Sequence, residues 1–169
     1  MVEAIAPLHL RTATPDNFAA IWAIFQPIVL AGETYEFDES LTPEQARAVW
    51  LNPQTHTVVA ELHGQVVGAY KIKPNHAGRG SHVANGSYIV ADGYRGRGIG
   101  RQLVEHSLQT AREQGYRAMQ FNIVVSTNKG AIALYEKLGF AIVATLPGAF
   151  RHRTLGHIDT HVMYRCLRD

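Results

Sequence analysis

The chain has 169 residues, which fits one domain of ordinary size with room for a sizeable core. Its hydrophobic residues (46%) and charged residues (18%) are typical of a globular protein and exclude an intrinsically disordered one. The net charge of +2, with histidines neutral, is too balanced to indicate a nucleic-acid partner. We therefore expect a single domain over residues 1–169 that binds no nucleic acid.

The cellular compartment is indicated by a single cysteine and by the N-terminus. Cys166 has no second cysteine to pair with, which excludes an internal disulfide and favours a reducing compartment. The N-terminus carries Glu3 and lacks the apolar run of a signal peptide. No apolar stretch approaches the ~18 residues of a membrane helix. These features predict a cytoplasmic protein without a membrane partner.

The N-terminal third of the chain predicts one strand and two helices. Alternation at Leu8–Thr12 indicates the strand. A helix follows from Pro15, after a capping threonine, and its apolar stripe reaches Val29. Pro27 is expected to bend this helix near its end, before a glycine cap. A capping box then opens a short helix that runs through Trp50.

The middle of the chain predicts a hairpin and a third strand. The strands Thr57–Leu62 and Gln65–Ile72 are separated by two residues, His63-Gly64, which indicates a tight turn. A loop follows at Lys73–Ser81, and His82–Ala91 is the next strand.

The remaining elements complete an α/β pattern. In order they are a helix at Ile99–Gln114, a strand at Met119–Val125, a helix at Thr127–Leu138 and strands at Phe140–Thr145 and His157–Arg165. The order β-α-α-β-β-β-α-β-α-β-β predicts an α/β domain with one parallel strand–helix–strand crossover in its middle.

The glycine-rich run Tyr94–Gly100 joins a predicted strand to a predicted helix. Its glycines leave backbone N–H groups unobstructed at a helix N-terminus, where partial positive charge favours a phosphate or pyrophosphate. Arg95, Arg97 and Arg101 add positive charge there. The run is not a P-loop, since it has no lysine, and its glycines do not fit the Gly-x-Gly-x-x-Gly fingerprint.

Two motifs in this part of the chain resemble the GNAT N-acetyltransferase superfamily. Arg95-x-x-Gly98-x-Gly100 is similar to that superfamily's acyl-CoA pyrophosphate loop. The stretch from Asn128 to Phe140 resembles its Asn-x-x-Ala-x-x-Leu-Tyr-x-x-x-Gly-Phe segment. The resemblance implies the GNAT fold: a mixed, mostly antiparallel sheet with a central parallel crossover and helices on both faces. It also implies acetyl-CoA as cosubstrate.

The resemblance assigns residues to the acetyl-CoA site. Backbone N–H groups of the glycine loop would hold the pyrophosphate, and the pantetheine arm would lie in a gap between the strand before that loop and Met119–Val125. Backbone N–H groups of that first strand would stabilise the oxyanion. The implied contacts are Ile89, Val90, Arg95, Gly96, Arg97, Gly98, Ile99, Gly100 and Asn128.

The resemblance implies that Tyr135 is the proton donor to the leaving thiolate. A phenol, with an ordinary pKa of ~10, is protonated at neutral pH. The alternative is that Tyr135 is only a core aromatic at helical spacing. Asn128 has a similar alternative, a helix cap that touches no ligand.

The general base is left open by the sequence. Many relatives place a glutamate on the strand before the glycine loop, whereas residues 82–88 here carry no carboxylate and Asp92 falls in the turn. The candidates are Glu36, His82, His152 and an ordered-water chain to solvent.

Narrower resemblances concern the substrate. The segments around Asn85, Asn122 and Asn128 are similar to fungal acetyltransferases of proline analogues such as azetidine-2-carboxylate, which implies that these asparagines hold the substrate. We expect Asn122 on a buried strand, where its amide needs a backbone or ligand partner. The segments 34–37 and 156–159 resemble bacterial phosphinothricin and methionine-sulfoximine acetyltransferases, and Glu36 joins the substrate candidates.

The sequence therefore predicts an acetyl-CoA-dependent N-acetyltransferase whose acceptor is a small amine, either an amino acid or a toxic analogue of one. A homodimer is possible. Acetylation of protein N-termini or lysines is an alternative that requires an open groove between Thr34–Ser40 and Gly148–Gly156. A non-catalytic acyl-CoA sensor is another. No metal is expected, because the spacing of His152, His157 and His161 fits no zinc site.

Overall fold

A computed structural model describes residues 8–168. The expectation drawn from Glu3 lies outside these residues. The strands and α-helices are β1 (His9–Thr12), α1 (Phe18–Ala31), α2 (Pro43–Trp50), β2 (His56–Leu62), β3 (Gln65–Pro74), β4 (Val83–Val90), α3 (Ile99–Glu113), β5 (Ala118–Val125), α4 (Lys129–Lys137), β6 (Ala141–His152) and β7 (Gly156–Cys166). Short 3₁₀ helices lie at Pro15–Asn17 and Gly78–Gly80.

The predicted α/β fold is confirmed. The seven strands form one sheet in the order β1-β2-β3-β4-β5-β7-β6. Strands β4 and β5, joined through α3, pair in parallel, and the other neighbours are antiparallel. One core lies between the sheet and α3 and α4, and a second lies between the sheet and α1 and α2. No helix within residues 8–168 is long and apolar enough to span a bilayer.

The parallel pair separates soon after it forms. Its register contains three residue pairs and ends at Asn85 and Gln120, although β4 continues to Val90 and β5 to Val125. Beyond that point the two strands diverge, and the facing backbone groups of β4 have no β5 partner. The fold therefore opens a wedge in its central sheet, beside the N-terminus of α3.

The first helix differs from expectation at its start and ends at the predicted glycine cap. It starts with the 3₁₀ turn that follows Thr14, and it passes through Pro27 without ending until Ala31. Gly32 then adopts φ 64° and donates its N–H to the Val29 carbonyl, which is the predicted glycine cap.

The two C-terminal strands are longer than the predicted Phe140–Thr145 and His157–Arg165. Pro147 and Gly148 are typical of a turn, yet they lie inside β6, where the register with β7 shifts between Leu146 and Phe150. A proline is tolerated there because β6 is an edge strand and the irregularity removes the need for its N–H.

Candidate active site

The wedge between β4 and β5 forms a cavity of about 520 Å³. Strands β4 and β5, the start of α4, Tyr135, the loop after α1, and Arg95 of the glycine loop contribute its lining. The substrate candidates Glu36, Asn85, Asn122 and Asn128 all line it. Of the acetyl-CoA candidates, Val90, Arg95 and Asn128 also line it, whereas Ile89 and residues 96–100 do not.

The backbone of β4 alternates between its two neighbours. Ala91 donates its N–H to the Val67 carbonyl at 2.8 Å, and the Val83 carbonyl accepts from Asn75 N–H at 2.8 Å. Odd-numbered residues of β4 therefore direct their backbone groups to β3, since the β3–β4 register has no irregularity. Even-numbered residues direct theirs into the wedge.

Because of this alternation, only one of two neighbouring residues predicted to contact acetyl-CoA, Val90 and Ile89, faces the wedge. Val90 lines the cavity, and its backbone groups face the wedge. Ile89 does not line it: its side chain is buried in the core beneath α1 and α2, and its backbone faces β3. Tyr88, which the sequence analysis did not include, has the orientation expected of Ile89, and its carbonyl accepts a 2.9 Å hydrogen bond from the Tyr35 hydroxyl.

The glycine loop adopts the conformation that its glycines permit. Gly96 (φ 76°) and Gly98 (φ 77°) are both left-handed, and Gly98 is the N-cap of α3. Gln102 makes the first helical bond, to the Gly98 carbonyl at 3.1 Å, so the N–H groups of residues 99–101 have no partner within the helix. The side chain of Ile99 is buried, which leaves only its backbone for a ligand. Arg97 packs over the Tyr94 ring at 5.1 Å.

Tyr135 packs among aromatic rings at the side of the cavity. Its ring centroid lies 4.6 Å from that of Phe121, 5.9 Å from Phe140 and 6.2 Å from Tyr88. Burial raises the pKa of Tyr135 to about 12. No hydrogen-bond partner of its hydroxyl is found within residues 8–168. The phenol is therefore protonated at neutral pH and available to a ligand.

Two of the asparagines already have structural roles. The Asn128 side chain accepts the Ala131 N–H at 3.3 Å and caps α4. Asn85 donates its amide to the Gln120 carbonyl at 3.1 Å, where the parallel pairing ends. Each residue also lines the cavity, so capping and ligand contact do not exclude one another.

The expectation that Asn122 is buried is wrong. Asn122 and Ile123 are exposed because the β5–β7 register shifts between Phe121 and Val124. The Asn122 amide donates to Asn75 Oδ1 at 2.8 Å, and its oxygen accepts from Gln120 Nε2 at 2.9 Å. These bonds position Asn122 at the mouth of the wedge without a buried, unpaired amide.

The candidate bases occupy three different places. Glu36 is exposed and lines the cavity. His82 is exposed before the start of β4 and does not line it, so it is too far along the strand to serve the wedge. His152 is buried, and its Nδ1 lies 3.2 Å from the Thr154 N–H and 3.3 Å from the Leu155 N–H. Those N–H groups make Nδ1 a hydrogen-bond acceptor.

A second cavity, of about 490 Å³, adjoins the first. It lies between the loop after α1 and the tip of the β6–β7 hairpin, and Tyr35 and Glu36 line both cavities. Arg153 fastens the hairpin to the end of α1: its N–H donates to the Gly32 carbonyl at 3.0 Å and its guanidinium to the Leu30 carbonyl at 2.9 Å. These bonds join one of the two segments expected to flank an acceptor, Gly148–Gly156, to residues just before the other, Thr34–Ser40, and both segments line the second cavity.

The histidine cluster does not form a metal site. In the part of the chain that the structure describes, no group of three potential metal ligands occurs. The Nδ1 atom of His161 is instead 2.9 Å from the Thr145 hydroxyl.

The sequence analysis did not identify Tyr35 or Lys71 as candidate functional residues. Tyr35 fell in a segment noted only for its resemblance, without a role. Lys71 lies in β3 between two buried residues and is itself 6% exposed. Lys71 could have been noticed from the sequence, because a lysine is unusual in a central strand that helices cover on both faces.

The chain is similar in sequence and in fold to known proteins. Residues 16–140 match the sequence model of the acetyltransferase (GNAT) family. The N-acetyltransferase aca1 of Schizosaccharomyces pombe is 30% identical over 148 residues, covering 78% of this chain and 71% of that protein. The L-methionine sulfoximine/L-methionine sulfone acetyltransferase of Pseudomonas paraeruginosa is 27% identical over 146 residues, covering 82% and 83%. The structure of a GCN5-related N-acetyltransferase from Kribbella flavida is 45% identical, with a TM-score of 0.90 over 94% of this chain and 97% of the other.

Proposed function

Because the chain belongs to the acetyltransferase (GNAT) family, we propose that it transfers the acetyl group of acetyl-CoA to the amine of a small molecule, an amino acid or an amino-acid analogue. The observation that carries this proposal is the wedge between β4 and β5, which is lined by polar side chains and whose Val90 lies beside Gly100 at the N-terminus of α3. We assign this activity to a single domain over residues 1–169.

Acetyl-CoA would bind through the glycine loop and the free backbone of β4. The unpaired N–H groups at the start of α3, together with Arg95 and Arg97, suit a pyrophosphate. The pantetheine arm is an amide chain, and the wedge-facing groups of Tyr88 and Val90 can bond it as a strand would. Asn128 would contact this arm or the substrate.

Acetyl transfer requires donors for the oxyanion and a proton for the thiolate. Backbone N–H groups of β4 that face the wedge would stabilise the tetrahedral oxygen, since they are held in place before the reaction. Tyr135 would give its phenolic proton, or a strong hydrogen bond, to the departing sulfur. Its raised pKa keeps the phenol protonated at neutral pH and favours a hydrogen bond to the thiolate over full proton transfer.

The acceptor amine must lose its proton before it attacks. Glu36 is the carboxylate that lines both cavities and is our candidate for this step, directly or through water. His152 is a weaker candidate because its Nδ1 is already an acceptor for backbone N–H groups. His82 is dropped, since it lies outside the wedge.

A small acceptor is favoured over a polypeptide by the hairpin. Arg153 at the β6–β7 tip bonds to Leu30 and Gly32 at the end of α1, and residues of the loop after α1 and of that tip line the second cavity. An extended chain would need these segments apart. The name of the Pseudomonas relative, which specifies two amino-acid analogues, points to the same substrate class.

We propose that the protein is cytoplasmic and forms a homodimer. The edge strand β6 carries exposed apolar side chains, among them Ile142, Val143 and Leu146, and such an edge favours pairing with another chain.

The test is a thiol-release assay with acetyl-CoA and a panel of amino acids, sulfoximines, polyamines, peptides with free N-termini and lysine peptides. We expect turnover with one or more amino acids or analogues, confirmed by the mass of the acetylated product. Preference for a peptide over every small amine would contradict the proposed substrate class. Acetyl-CoA binding without turnover on any amine would identify a sensor instead.

A further inference from the structure

Lys71 is a buried lysine without a counter-charge. It lies in the centre of β3 and is 6% exposed. In the described part of the chain three ion pairs occur, and none of them includes Lys71. Its nearest recorded partner is the Trp50 ring, whose centroid lies 5.9 Å from Nζ. A buried charge of this kind is costly unless something pairs with it.

Lys71 lies beside the acceptor end of the wedge. In the β3–β4 register it is opposite Ser87, which lines the first cavity. Opposite residues on one face of an antiparallel pair have Cβ atoms about 5 Å apart. Lys71 itself lines neither cavity, and its Nζ lies 5.9 Å from the centroid of the Trp50 ring, so its flexible four-carbon stem would turn toward Ser87 to reach a ligand in the wedge. Glu36, which lines both cavities, acts on Lys71 through its charge but is not within ion-pair distance.

Within residues 8–168, no group of opposite charge forms an ion pair with Lys71. Burial disfavours the charged ammonium form of Lys71 and lowers its pKa to about 8. Repulsion from Lys73, the other lysine of β3, contributes to the same shift. At neutral pH the group still carries its charge. A ligand anion would pair with this charge and offset the repulsion from Lys73.

We propose that Lys71 binds the carboxylate of the acceptor, and so determines that the enzyme prefers amino acids to simple amines. This inference rests on the proposed function, because it names the feature by which that site would select its substrate. A charge-assisted bond between ammonium and carboxylate would supply selectivity that the uncharged asparagines cannot.

The experiment compares an amino acid with its carboxamide as acceptors. The carboxamide keeps the acceptor amine and removes the negative charge. For the wild type we expect kcat/KM to favour the acid. In Lys71→Met the ratio of acid to carboxamide should fall at least ~10-fold, the scale of a hydrogen bond to a charged group. Any change in the amine's own pKa cancels, because the same two acceptors are compared in both proteins.

Lys137→Met is the control, since Lys137 is an exposed lysine at the end of α4 and lines neither cavity. It should leave the ratio as in the wild type. Thermal unfolding with CoA bound gives a second readout: the amino acid should raise the melting temperature of the wild type more than that of Lys71→Met. Lys71→Gln provides a second uncharged variant should the methionine variant fail to fold.

The outcomes separate this inference from the proposed function. A folded Lys71 variant that keeps the wild-type ratio, or a wild type that accepts acid and carboxamide equally, would overturn the role of Lys71 alone. A wild type that acetylates peptides but no amino acid would overturn the proposed function and the inference together.

Discussion

The Tyr35 hydroxyl donates a 2.9 Å hydrogen bond to the Tyr88 carbonyl oxygen. Tyr88 belongs to the part of β4 that β5 no longer covers, and Tyr35 belongs to the loop after α1. This bond therefore ties the loop on the acceptor side to the strand at the bottom of the wedge. Burial raises the pKa of Tyr35 far above its ordinary value, so the hydroxyl remains a donor at any working pH.

Tyr35→Phe should loosen this loop. The variant keeps the ring packing against Phe25 and Phe37 but loses one partly buried hydrogen bond, which contributes about 1 kcal/mol to stability. We expect a lower melting temperature and a several-fold rise in the acceptor KM, while acetyl-CoA affinity stays close to wild type. Tyr116→Phe, a half-buried tyrosine away from the wedge, is the control. Equal effects of the two substitutions would refute the role of the Tyr35 bond.

Gly100→Glu should abolish most acetyl-CoA binding. A side chain at Gly100 would start between Leu134 and Val90, at 3.9 and 4.0 Å, so the backbone accepts it without strain. The carboxylate would meet the pyrophosphate at close range, and we expect the Kd to rise by at least ~100-fold. Gly98 is less suitable for this test, because φ there is 77° and any side chain is strained.

Gly100→Ala is the control for the glutamate variant. It adds the same Cβ without the charge, and it should keep the fold and most of the affinity, measured by calorimetry. A folded Gly100→Glu protein with wild-type affinity would mean that the pyrophosphate binds elsewhere.

Asn128 can be tested as a cap and as a ligand contact with two variants. Serine is as good an N-cap as asparagine, whereas alanine costs about 1 kcal/mol. If the amide also contacts acetyl-CoA, Asn128→Ser should keep the unfolding free energy of the wild type and lose about threefold to tenfold in affinity. Asn128→Ala should lose both. Wild-type affinity in the serine variant would reduce Asn128 to a helix cap.

Much of the fold could be predicted from the sequence wherever the conformational preferences of neighbouring residues determine the local structure. The two-residue turn at His63-Gly64 is an example: both residues have positive φ, as a tight hairpin requires. The glycine loop could also be predicted, because Gly98 caps a helix in the left-handed conformation, which glycine adopts easily.

Features that depend on pairing between distant strands could not be predicted. Asn122 is exposed because of a register shift between β5 and β7, and Pro147 lies within a strand because β6 is at the edge of the sheet. The exclusion of Ile89 from the wedge depends on which alternate residues of β4 face β3. None of these has a signal in the local sequence.

The stability of the protein should depend on pH through Lys71. The pKa of Lys71 is lowered from 10.5 to about 8 by burial, with a contribution from Lys73. Between these two values the unfolded chain binds a proton that the folded chain does not, so the free energy of unfolding rises with pH. The difference between the two pKa values corresponds to about 3 kcal/mol.

Lys71→Met removes this dependence. We expect the methionine variant to be more stable than the wild type below pH 8, and the difference to shrink between pH 8 and 10.5. Urea unfolding at several pH values measures it. A constant difference across this range would show that Lys71 titrates as an exposed lysine does.

The measurement that tests the account most directly is the turnover of Tyr135→Phe. The substitution keeps the ring packing against Phe121 and removes a hydroxyl for which residues 8–168 hold no partner, so stability should change little. If the phenol assists the leaving thiolate, kcat and kcat/KM should fall together by about 100-fold or more, while the Kd for acetyl-CoA stays within about twofold. Wild-type turnover in the folded variant would contradict the account, because Tyr135 would then be a packing residue and the proton would come from solvent.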